Sequence, residues 1–180
     1  MAGTFKSGGL VVDGEDAKSP FLQTYETEQY PLGTIRVEVA DEVEAATHTD
    51  GTALGLKGDR VWMFVRAKSA LTIYDCCIVD TADSATVSFE VIPTDAAGDN
   101  ALDVVGVAQC AFTDEYYGWV VIAGECVVNA AAGINAGEFI DTHTGGQVDD
   151  STAAGTLIGK ALSATDTPVS GTIRARIRLP

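Results

Sequence analysis

The sequence predicts an all-β protein, an antiparallel β-barrel or sandwich body carrying an extended N-terminal arm. Three observations lead there. Apolar and polar residues alternate with a period of two in several short runs, as in residues 34–40, 60–67 and 172–179. Turn signals of glycine, asparagine, aspartate and proline separate those runs at near-regular spacing. No long stretch carries the 3.6-residue periodicity of an amphipathic helix. Counting the runs gives about ten to twelve strands, the pattern of a sandwich or barrel, with no fixed-period repeat.

The elements follow in order. Residues 1–33 are broken by glycines, Lys6, Lys18, Pro20 and Pro31, and only residues 9–12 read as a short strand. Such a segment cannot build its own core, so it is expected to lie on the parent domain or on a neighbouring subunit. Phe21, Leu22, Tyr25 and Tyr30, spread among polar residues, are its candidate anchors. Residues 34–40 form a half-buried strand, with Ile35, Val37 and Val39 on one side and Arg36 and Glu38 on the other. The acidic stretch 41–50 reads as a loop ending in Asp50-Gly51. Residues 52–56 read as a strand joined through Gly58-Asp59 to the strand 60–67. Further strands are predicted at 71–79, at 86–92 where Pro93 stops the run, and at 101–112 after the polar turn 94–100.

The centre of the body is Tyr116 to Val128. Two apolar runs flank Gly124-Glu125, and the sequence predicts a tight hairpin there. Residues 129–137, small and interrupted by two glycines, read as a loop, because each interior glycine costs a helix about 1 kcal/mol. A strand at 138–142, a loop at 144–150, and strands at 157–162 and 172–179 complete the chain. The arm is thus 1–33 and the body 34–180, divisible into lobes 34–112 and 113–180.

Bulk properties bound the function. A chain of 180 residues holds one domain with a real core, and 46% apolar residues argue against wholesale disorder. No run reaches the roughly 18 apolar residues of a membrane helix, and the first residues lack the apolar stretch of a secretory signal, so no membrane is expected as partner. The net charge is −15, which speaks against a nucleic-acid backbone as partner, since phosphates need clustered lysine and arginine. It suits solubility at high concentration and docking on a basic protein surface.

Candidate chemistry is sparse. Cys76, Cys77, Cys110 and Cys126 lie in strand-like apolar runs without metal-ligand spacing, and read as buried reduced thiols or, for Cys110 and Cys126, as a disulfide. A nucleophilic triad would need His48 or His143, and no serine sits in a Gly-x-Ser-x-Gly elbow. The carboxylate pairs Glu42/Glu44, Asp95/Asp99, Asp114/Glu115 and Asp149/Asp150 read as solvated turns or at most a loose Ca²⁺ site. No phosphate-binding loop is present. No catalysis, metal or cofactor is expected. The one unusual charge pattern is C-terminal: Arg174, Arg176 and Arg178 share one strand face, and Ile173, Ala175, Ile177 and Leu179 the other. The row can pair with the chain's own acids or with a partner.

Two stretches resemble tailed-bacteriophage capsid decoration or cement proteins. One is Tyr30 to Thr34 followed by Gly58 to Ala67. The other runs from Tyr116 to Gly124 through Gly155 to Leu162 and on to the Arg174–Leu179 ending. The resemblance covers about residues 30–180 and rests on glycines, aromatics and alternation. It implies a non-enzymatic virion part, made in the host cytoplasm, that binds the outside of the capsid shell. The implied partners are the major capsid protein and further copies of the chain in a dimer or trimer. Phe21, Leu22, Tyr25, Tyr30, Arg174, Arg176 and Arg178 are then the candidate contact residues. Tail, head-fibre and baseplate proteins share the texture. A hydrolase or carbohydrate-binding module is the alternative from another class, and a sugar binder would expose Trp62 or Trp119 as a platform.

Overall fold

A computed structural model describes residues 20–40, 55–80, 89–95, 104–151, 157–163 and 171–179. The fold is all-β. Eleven strands belong to one hydrogen-bonded sheet: β1 (Thr24–Tyr25), β2 (Ile35–Glu38), β3 (Arg60–Ala67), β4 (Cys76–Val79), β5 (Glu90–Pro93), β6 (Val104–Ala108), β7 (Tyr117–Ala130), β8 (Phe139–Thr142), β9 (Val148–Asp150), β10 (Gly159–Ala161) and β11 (Gly171–Arg178). A short 3-10 turn at Pro20–Leu22 precedes them. Most pairings are antiparallel, but β3–β5 and β7–β9 are parallel, so the sheet is mixed.

The predicted hairpin at Gly124-Glu125 is corrected: residues 117–130 form one continuous fourteen-residue strand. Gly124 supplies not a reversal but an irregularity in it. Val61 pairs with Ala123 while Trp62 pairs with Val121, so Ile122 is an extra residue on β7. Gly124 has φ +107°, and a Cβ there would lie 2.5 Å from the Asp59 carbonyl oxygen. The extra residue shifts the phase of the strand. Before it, Trp119 and Val121 enter the largest hydrophobic cluster; after it, Cys126, Val128 and Ala130 do.

The strand β7 belongs to two closed rings. The pairings β7–β6–β4–β5–β3–β7 close the first, and β7–β11–β10–β8–β9–β7 close the second. Met63, Val65, Ala67, Cys77, Val91, Val105, Ala108 and Val120, drawn from all five strands, fill the first ring. The second ring is filled by Cys126, Val128, Ile140, Val148, Ala161, Ile173, Ala175 and Ile177. Their cluster also takes in Trp62, Phe64 and Trp119, which alternate along β3 and β7 with residues of the first ring. Asp75 links the rings: its carboxylate accepts from Thr72 N at 2.7 Å and from Asn129 Nδ2 of β7 at 2.9 Å.

Other strands depart from the sequence boundaries. The run 71–79 is a strand only from Cys76, because Tyr74 turns with φ +74°, leaving an isolated Leu71–Phe112 bridge. Of the described residues of the run 101–112, Val104–Ala108 form the strand; residues 101–103 lie outside the described residues. Residues 144–150 hold the short strand β9 where a loop was expected. Gly55 and Leu56 are not in a strand. The expected strand segments 9–12, 52–54 and 86–88, and the loop 41–50 with His48, lie outside the described residues. None of the four cysteines is in a disulfide, and Cys76, Cys77 and Cys126 are buried. No helix among the described residues is long and apolar enough to cross a membrane.

Candidate interaction surfaces

The described part of the arm packs on the chain's own core. Phe21 is buried, stacked on Trp62 at 5.0 Å and edge-on to Trp119 at 5.5 Å. Tyr30 meets Phe64 at 5.3 Å and Trp119 at 5.2 Å, and Tyr25 lies 6.3 Å from Phe64. Leu22 is half-buried against the same cluster. Each aromatic contact adds about 0.5–1.5 kcal/mol beyond area burial. Of the two resting places expected for the arm, the parent domain or a neighbouring subunit, residues 20–33 occupy the first. Both tryptophans are almost fully buried, so neither forms an exposed sugar platform.

The arginine row stands where alternation put it. Ile173, Ala175 and Ile177 are buried and Arg174, Arg176 and Arg178 exposed. Arg176 pairs with Glu125 at 2.6 Å, and Glu125 also accepts from Lys57 N at 3.0 Å. Arg174 donates to the Gly55 carbonyl at 2.9 Å. The sequence reading missed what the register adds. Lys160 lies opposite Arg176 on one side and Phe139 on the other, its ammonium 5.8 Å from that ring. Four of the chain's eleven basic residues thus share one face with exposed Phe139, in a chain of net charge −15. Pairing of β10 with its neighbours creates this patch, so no local sequence signal could have shown it.

A second exposed surface is the end strand β2. On its polar face Glu38 is buried, while Arg36 is exposed. Glu38 is 2% exposed and accepts from Arg60 Nε at 2.8 Å and from Trp62 Nε1 at 2.9 Å, while Arg60, itself 1% exposed, stacks over Trp62. Ile35, Val37 and Val39, about half-exposed, point outward.

His143, the described candidate for acid–base chemistry, sits 3.6 Å from Asp149 and 3.1 Å from the Thr144 hydroxyl. Arg66 joins Glu90 at 2.7 Å and Glu115 in an ion-pair group with Lys68, which lies 3.3 Å from Glu115. Among the described residues no three His, Cys, Asp or Glu side chains cluster to hold a metal.

The fold is similar to that of the head fiber gp8.5 N base in bacteriophage phi29. The likeness has a TM-score of 0.50 at 18% identity, and it covers 66% of this chain and 93% of that one. No family model matches the chain, and no curated protein matches it in sequence. At this identity the likeness establishes a shared all-β fold.

Proposed function

We propose that the chain is a structural part of a tailed-bacteriophage virion, seated on the outside of the head shell. The observation that carries this is the fold likeness, which takes in 93% of a phage head-fibre base. In the finer form of the proposal the chain is a decoration or cement protein. It binds the major capsid protein, bridges neighbouring capsid subunits and stabilises the shell. The face bearing Lys160, Arg174, Arg176 and Arg178 supplies charge-assisted hydrogen bonds to capsid carboxylates, with Phe139 as an apolar contact beside them. The rest of the acidic surface keeps a many-copy protein soluble. A head-fibre component is the second reading, favoured by the likeness to a head-fibre base. Both are non-enzymatic and need no cofactor.

Adding purified protein to shells that lack it tests the proposal. Cryo-electron microscopy is expected to show density on the outer shell surface, and the triple variant R174E/R176E/R178E is expected to lose it. Shells that resist heating better once coated favour cementing; bound but unstabilised shells favour the fibre. Absence of density on shells would overturn the proposal, as would location in the tail.

A further inference from the structure

We infer that β2 is a homotypic contact, through which two copies of the chain pair edge to edge about a two-fold axis at Val37. The inference stands apart from the virion reading. It starts from the way the strand faces. A one-residue slip of β2 against β3 would turn Ile35, Val37 and Val39 inward, the arrangement hydrophobic partition favours. It would also expose Glu38 and leave the Arg60 guanidinium buried without its carboxylate. The buried Glu38–Arg60–Trp62 group therefore fixes a register that holds the apolar row outward.

The edge left unpaired among the described strands belongs to the same residues. β2 ends the strand path, and β3 is its one partner among the described strands. Phe64 N donates to Thr34 O, so Thr34 and, by alternation, Arg36 and Glu38 turn their peptide groups toward β3. Those of Ile35, Val37 and Val39 then face away. Side chains and hydrogen-bonding groups of these residues ask for the same occupant, an antiparallel strand with apolar alternate positions.

A second copy of β2 meets that requirement in detail. Pairing centred on Val37 sets Val37 against Val37 of the other copy and Ile35 against Val39. On the other face it sets exposed Arg36 opposite the buried Glu38, so no like charges meet. Residues 34–40 carry no net charge within a chain of −15, so this edge is spared the repulsion that opposes self-association elsewhere. The contact is isologous and closed, and it removes an edge that would otherwise recruit further strands.

Sedimentation equilibrium of the full chain from about 1 to 100 µM tests this, together with cross-linking of V37C under a copper-phenanthroline oxidant. Hydrogen-bonded antiparallel partners place their Cα atoms about 5.5 Å apart, inside the disulfide range of about 4.4–6.8 Å. We expect a dimer, dissociation at least about tenfold easier in V37K with its folding intact, and a covalent dimer from V37C but not from I73C. A monomer at every concentration overturns the inference, as does an oligomer that V37K leaves unchanged. If V37K fails to fold, V37C decides: no cross-link beyond that of I73C overturns it.

Discussion

Replacing Gly124 by alanine probes the close approach of the Asp59–Arg60 backbone to β7 at its irregularity. At φ +107° a side chain carries strain of about 1–3 kcal/mol. The new Cβ would also sit 2.5 Å from the Asp59 carbonyl oxygen and 3.0 Å from Arg60 Cα, both backbone atoms of the partner segment. Neither can swing aside, so β3 must draw back from β7 at the irregularity, at about 1–3 kcal/mol more. The total, about 2–6 kcal/mol, is a large part of the 5–15 kcal/mol typical of a domain. Gly133 provides the matched control. Its φ is +100°, and nothing lies within 4 Å of its would-be Cβ, so G133A carries the strain without the contact. Urea unfolding followed by the fluorescence of buried Trp62 and Trp119 measures both variants. G124A is expected to lose about 1–3 kcal/mol more than G133A. Equal losses would refute the claim that the close approach of Asp59 to β7 requires a glycine.

Two further outcomes rest on buried groups. E38A leaves the Arg60 charge buried without its partner and is expected to cost about 3–5 kcal/mol in urea unfolding, whereas E38L/R60M, which removes both charges, restores most of it; equal losses in the two variants would contradict the buried pair. Burial pushes the Cys77 and Cys126 thiols up from 9.0 to about 12. The folded state then holds these protons more tightly than the unfolded chain. The stability contributed is full below pH 9 and falls by about 1.4 kcal/mol per pH unit per thiol as the pH rises toward 12. Unfolding at pH 9 to 11 checks this, and C77A should lose part of the slope; an unchanged slope would contradict it.

Much of the architecture was legible because β-strands announce themselves by alternation. The bounds of β3 match the run 60–67, and the buried row of β11 follows the isoleucines and alanine between its arginines. What alternation cannot supply is which face turns inward. In β2 that choice is made by Arg60 and Trp62, 22 and 24 residues from Glu38 in sequence, and the apolar side lies outward. The misread hairpin has a similar origin. A glycine between two apolar runs serves equally for a reversal and for an inserted residue in a continuing strand, and only the distant Asp59 and Arg60 backbone distinguishes them. The aromatics of residues 20–33 were legible as anchors, but the choice between parent domain and neighbour was not, because nothing local reveals the slot between Trp62 and Trp119 that receives Phe21. The arginine row was visible, but Lys160 and Phe139 join it only through sheet register.

The shared strand also governs how the body bears load. Tension applied along β7 meets eight paired residues of β11 and six of β3, set side by side and strained together in shear rather than opened one after another. A beam of this kind passes force from one ring to the other without a hinge. Pulling the two ends of β7 apart therefore loads β3 and β11 at once.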